Sequence, residues 1–132
     1  MVDRLVENAL IALLQAALPT SNVVAAMEDS DPPLTLPAIV VNASIKQIIP
    51  AHDDIYELGI TIEHKSVPGN TSTSSVDSDM QAIDTALLTP STATVTGLTF
   101  LGWQGLDRSQ QQVSEKDRRT ESRELTVFAT IS

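Results

Sequence analysis

The sequence predicts an α+β domain in which two helices pack on one face of a mostly antiparallel sheet of four to five strands. Two stretches carry apolar residues at helical spacing, and several others alternate apolar with polar residues. A length of 132 residues fits one domain, so we expect residues 1–132 to fold as a unit. Hydrophobic residues make up 42% of the chain and aromatic residues only 3%, so the predicted core is aliphatic.

The first helix is predicted over Val2–Leu18, with Pro19 directly after its end. Its apolar stripe is wide, which is typical of a helix packed on a sheet and touched by a neighbour, or of one buried on two sides. The run Ala9–Leu18 could be read as a signal peptide. The residues before it sum to a charge of −1, and the run is too short to span a bilayer. We therefore expect a protein that starts in the cytoplasm and has no membrane partner.

Period-2 alternation predicts the main strands, each with one covered and one wet face. They are Ala38–Ile49, Ile55–His64 and Arg123–Ile131. A fourth strand is predicted at Thr92–Leu101 with a bulge near Gly97.

The remaining segments complete the order of elements. A short strand is predicted at Asn22–Ala26, followed by an extended, proline-rich connector at Glu28–Pro37. A second helix is predicted at Val76–Leu88, with Val76, Met80, Ile83 and Leu87 on one stripe. We expect mobile loops at about 65–75 and 105–120, the latter holding four of the eight basic residues.

No constellation of residues predicts catalysis. His52 and His64 flank a predicted strand roughly 35–40 Å long, so they cannot share a metal within one chain, and we expect both to be exposed turn residues. The acidic pairs, such as Asp53 and Asp54, fall on turns or a helix start, where solvation is the default. The absence of cysteine excludes disulfides and thiolate metal sites. We expect a protein that is not an enzyme and has no cofactor or metal.

The charge balance points to protein partners. Seventeen acidic and eight basic residues give a net charge of −9, which disfavours binding to phosphate backbones. The basic stretch 105–120 on an acidic body predicts either a disordered hairpin tip or an arm for head-to-tail self-association.

The order of elements is similar to that of the tail terminator (tail completion) proteins of tailed bacteriophages. The residues that carry the resemblance are the strand Asp54–Glu63, the helix Ser75–Leu88 and the closing strand Glu124–Ile131. The resemblance covers most of the chain, whereas the segment Glu28–Pro37 has no match in it. It implies a homohexameric ring that caps the tail tube, ends its polymerisation and joins the tail to the neck and head. The implied location is the virion, after assembly in the host cytoplasm.

The resemblance also implies partners and site residues. The partners are further copies of the chain, the tail tube protein and a neck or head-completion protein, with DNA passing through the lumen without specific binding. The subunit interface is expected on the two polar segments, at Val67, Pro68, Asn70, Arg108, Gln111, Val113, Lys116, Arg118 and Arg119. Acidic residues of the second helix are expected to face the lumen and repel phosphate within about 10 Å. They are Asp77, Asp79 and Asp84.

Three alternatives stay open at the level of sequence. One is a neighbouring neck or head–tail joining protein. Another is a monomeric binding module with a similar α+β fold. The last is a hydrolase that uses His52, Asp53 and Asp54.

Overall fold

The computed structural model describes residues 2–25, 38–66, 73–88, 96–111 and 119–131. It confirms the predicted α+β class. The elements, in chain order, are α1 (Val2–Ala17), β1 (Asn22–Ala25), β2 (Ala38–Ile49), β3 (Ile55–Ser66), α2 (Thr73–Leu87), β4 (Leu98–Gln111) and β5 (Arg119–Ile131). The five described strands form one sheet in the order β1-β2-β3-β5-β4. Neither described helix is long and apolar enough to cross a bilayer.

The sheet is antiparallel except at one edge. β1 runs parallel to β2 and pairs only with its first four residues, Ala38 to Val41. β2 with β3, β3 with β5, and β5 with β4 are antiparallel pairs. β5 therefore lies inside the sheet, and β4 forms the edge opposite β1 and β2.

α1 forms because apolar residues recur every four positions on its buried side. Val2, Val6, Leu10 and Leu14 make up this stripe and are fully or nearly fully buried. The helix ends before Pro19, and the Gln15 amide nitrogen donates hydrogen bonds to the carbonyl oxygens of Leu18 at 3.0 Å and Ser21 at 2.8 Å. The last turn is thus held by a side chain where helical bonding stops.

α2 carries the stripe that the sequence predicts, since Val76, Met80, Ile83 and Leu87 are all buried. Both helices cover the same face of the sheet, where they join one hydrophobic cluster with the inward residues of β2, β3 and β5. Among these residues are Val41, Leu58, Ile60, Ile62 and Val127. The core is aliphatic, as predicted.

Several boundaries differ from the sequence prediction. β4 continues to Gln111 and β5 begins at Arg119, so most of the segment predicted as a loop at 105–120 is strand wherever the structure describes it. Backbone pairing with β5 at Asp107 to Gln111 overrides the polar composition. Likewise, β3 extends through Ser66 and α2 begins at Thr73, within the loop expected at 65–75.

The bulge expected at Gly97 lies elsewhere. Gly97 occupies the turn before β4 with φ 90°, a conformation that favours glycine. The register shifts of β4 fall between Phe100 and Gly102 and between Gln104 and Asp107.

Candidate functional site

The predicted subunit-interface residues fall into two groups in the structure. Six lie outside the described residues: Val67, Pro68, Asn70, Val113, Lys116 and Arg118. The other three belong to strands, with backbone pairings of Arg108 with Arg123, Gln111 with Thr120, and Arg119 with Ser66. Their role at an interface stays a prediction.

The three acidic residues of α2 have different surroundings. Asp77 is exposed. The Asp79 carboxylate lies 2.9 Å from His64 Nε2, and the Asp84 carboxylate accepts a hydrogen bond from Arg123 Nε at 2.7 Å. Asp79 and Asp84 are therefore directed to the sheet, and only Asp77 has the exposure that the prediction of a lumen wall assumed.

These contacts form a polar layer between α2 and the sheet. His64 and Glu121 are directly opposite each other on β3 and β5, and Arg123 lies two residues further along β5 on the same face. All three side chains are buried. His64 Nδ1 has no hydrogen-bond partner.

The sequence prediction for His64 was wrong, because the residue is 1% exposed inside β3 and not on a turn. The signal was present: the alternation of Tyr56, Leu58, Ile60 and Ile62, extended by two residues, puts His64 on the inner face. The buried imidazole ring contacts Asp79 of α2, and this contact positions the helix on the sheet. His52 lies in an exposed bend before β3, far along the strand from His64. No cluster of three or more potential metal ligands occurs among the described residues.

The sheet is open along both edges within the described part of the chain. β1 covers β2 only as far as Val41, and β4 pairs with β5 on one side. Where β1 ends, the Glu7 carboxylate accepts a hydrogen bond from the Ala43 backbone N–H at 2.9 Å. Glu7 is only 4% exposed and closes the first open position of β2. Sequence reasoning missed this residue because a glutamate on a helix is read as solvated.

Large apolar side chains are exposed on both open edges. Ile45 and Ile48 of β2 are 42% and 51% exposed, and Leu101 and Trp103 of β4 are 52% and 36% exposed. Two further large apolar residues are exposed within the described residues, Leu88 after α2 and Ile131 at the end of β5. Four of these six therefore lie on edge strands.

Concave surfaces lie between the two helices and on the uncovered face of the sheet. A shallow apolar groove of about 640 Å³ lies between the helices, lined by Leu13 and Ala16 of α1 and by Ala82 and Ala86 of α2, among others. A smaller depression of about 270 Å³ lies on the uncovered face of the sheet beside Gly59. There Lys46 crosses the face, with its Nζ 3.1 Å from Thr126 Oγ1.

Comparisons with known proteins find similarity among solved structures. No protein-family model matches the chain, and no curated protein matches it. Among solved structures, the chain is similar to a chain of the virion of a native gene transfer agent particle, at 16% sequence identity and a TM-score of 0.48. The match covers 90% of this chain and 85% of the other.

Proposed function

We propose that this chain is a structural subunit of a tailed-phage virion, which assembles into a ring that caps the tail tube and ends its polymerisation. The ring, hexameric by the resemblance of the sequence to tail terminators, would join the tail to the head and neck. Its partners would be other copies of the chain, the tail tube protein and a neck or head-completion protein. The role is structural and involves no catalysis.

The observation that carries the proposal is the sheet that is open at both edges with apolar side chains exposed on each. Unpaired strand edges are templates for pairing with another chain, and monomeric proteins usually shorten, cover or charge them. Here β4 is 14 residues long, and Leu101 and Trp103 are exposed on it. A subunit with two such edges on opposite sides is suited to head-to-tail contacts, which generate rings when the rotation closes.

The charge of the chain suits a ring around DNA. A net charge of −9 gives a surface that repels phosphate at short range, which lets a duplex slide through without being held. Asp77, exposed on α2, is the member of the predicted lumen set best placed for that role.

A second candidate function is a monomeric binding module, favoured by the groove between α1 and α2. Its apolar lining and volume of about 640 Å³ fall within the range of small-ligand sites. A module of this kind would bind one ligand or peptide between the helices and would stay monomeric.

Tail length tests the proposal. Lysates of the phage lacking this gene would be examined by negative-stain microscopy, with the gene supplied in trans as the control. Overlong tails of scattered length, separate from heads, are expected for a terminator. Tails of normal length beside filled, unjoined heads would move the protein to the neck. Intact, infectious particles would refute the structural role and leave the binding module.

A further inference from the structure

We infer that adjacent subunits of the proposed ring meet edge to edge, with residues 98–104 of β4 in one copy lying along residues 44–49 of β2 in the next. Leu101 and Trp103 of the first copy would pack against Ile45 and Ile48 of the second. The inference rests on the proposed function, since it names the contact surfaces of the proposed ring.

Strand direction permits this contact. β2 is antiparallel to β3, β3 to β5, and β5 to β4, so β4 runs opposite to β2 within one sheet. Rotation about a ring axis preserves the direction of each strand along that axis. β4 of one copy therefore meets β2 of the next as an antiparallel neighbour, which is the commoner and slightly more stable pairing.

The exposed apolar residues lie at matching heights. One row across the sheet runs from Ile45 through Leu58 and Val127 to Trp103. The next runs from Ile48 through Tyr56 and Ala129 to Phe100, with Leu101 at the adjacent register shift. Because a closed ring has no rise between subunits, the two edges meet with these residues side by side. Cross-strand partners share a face, so Ile45, Ile48 and Trp103 all project from the face that the helices cover.

β1 limits how far the contact can extend. It occupies the edge of β2 at residues 38–41 and would block a neighbouring strand at that height. β4 has its second register shift between Gln104 and Asp107, opposite the level of residues 42–44 of β2. Since a bulge bends the strand, the rest of β4 can turn away from the level at which β1 covers β2.

The usual protection of an edge strand is missing at this place. A lysine on an edge normally discourages pairing with another chain. Lys46, at the register shift of β2, instead lies across the uncovered face over Gly59 and contacts Thr126. Ile45 and Ile48 project from the opposite face. Lys46 is the one charged residue of residues 44–49, so this segment places no charge beside the two isoleucines.

Engineered cysteines test the contact, since the chain contains no cysteine of its own. Ile48→Cys and Leu101→Cys would be made singly and together, supplied to the phage lacking the gene, and recovered in purified tails. After oxidation or treatment with a short bis-maleimide, the double variant should shift from monomer to a ladder of covalent multiples. The two single variants supplied together should give dimers, and each alone should stay monomeric. The matched control is Leu88→Cys with Leu101→Cys, which pairs β4 with an exposed residue after α2 that belongs to neither strand of the contact.

The outcomes separate the inference from the proposed function. Tails that contain the chain but give no ladder with the double variant would overturn the edge contact and leave the ring standing. Dimers from Ile48→Cys alone would overturn it in favour of a twofold contact between β2 strands. Absence of the wild-type chain from tails would refute the proposed function itself.

A second pair of variants covers the case in which the cysteine variants misfold. Ile48→Asp should keep the wild-type melting temperature yet be lost from tails, whereas Ile131→Asp should be retained in them. Retention of Ile48→Asp in tails would overturn the inference.

Discussion

Replacing Glu7 with alanine should destabilise the domain more than its position on a helix suggests. The carboxylate is buried and accepts the Ala43 N–H at 2.9 Å, beyond the last residue that β1 covers. A hydrogen bond to a charged group contributes about 1.5–3 kcal/mol, and the one buried methylene that alanine lacks adds roughly 0.8 kcal/mol. Burying the carboxylate in the wild type costs desolvation energy, and the alanine variant does not carry that cost. This offsets part of the loss, so we expect a net decrease of about 2 kcal/mol in the free energy of unfolding.

Urea unfolding and thermal melting measure this loss. For a domain of this size, 2 kcal/mol corresponds to a decrease of about 6–8 °C in melting temperature. Glu7→Gln keeps a carbonyl acceptor and should cost about 1 kcal/mol or less. Hydrogen exchange gives a local readout, because the Ala43 amide should lose protection in the alanine variant before the rest of β2 does.

The control is Asn8→Ala, at the next position on the same helix but exposed. It should change stability by no more than about 0.5 kcal/mol. If Glu7→Ala costs no more than this control, or if the exchange rate of Ala43 is unchanged, Glu7 does not close the edge of β2 and the reasoning fails.

Three further perturbations follow from the described contacts. Arg123→Met breaks the buried pair with Asp84 and should lower the free energy of unfolding by about 1–3 kcal/mol, since partial solvation of Asp84 limits the loss. Adding Asp84→Asn should recover part of it, which a double-mutant cycle by urea unfolding measures. Gly59→Ala places a Cβ 2.8 Å from Cε of Lys46, a flexible chain end. Gly59→Ala should therefore change the free energy of unfolding by less than about 1 kcal/mol, which thermal melting measures. Ile83→Ala removes a fully buried side chain of α2 and should cost about 2–5 kcal/mol in urea unfolding.

Each of these has an outcome that contradicts it. Additive effects of the Arg123 and Asp84 changes would mean that the two side chains are not coupled. A loss above about 2 kcal/mol for Gly59→Ala would mean that Lys46 cannot move aside. Gln81→Ala, on the exposed side of α2, is the control for Ile83→Ala, and equal losses would place Ile83 outside the core.

The sequence predicted the elements in which apolar residues are buried and polar residues are exposed. β3 alternates aliphatic with polar residues, and α2 carries a clean apolar stripe, so pattern and burial coincide in both. It failed where polar residues are buried or where a strand is polar throughout. His64 is ionisable but inward-facing, while residues 107–111 pair as strand despite their loop-like composition. The inward position of His64 follows from the alternation of β3 and was missed because an ionisable residue is read as exposed. At residues 107–111 the pairing with β5 decides the structure, and the local sequence carries no record of that partner.

The candidate site was less predictable than the fold. The proposal of self-association came from the wide apolar stripe of α1 and the basic stretch at 105–120. The exposed apolar residues Ile45, Ile48, Leu101 and Trp103 carry the proposal instead, and the predicted alternation had placed Ile45 among the inward residues. Their exposure depends on where β1 ends and how far the helices reach. Both depend on how strands and helices assemble, which the spacing of residues along one strand does not predict.

The position of β5 inside the sheet affects when assembly can begin during synthesis. β5 is the last of the described strands, yet it separates β3 from β4. Until a ribosome has released residues 119–131, β3 lacks its second neighbour and β4 has no partner in the sheet. A nascent chain therefore cannot display β4 as a finished edge, although β1, β2 and β3 can already be in place. In the proposed ring, this order of events would keep incomplete subunits from being added and would tie competence for assembly to translation of β5.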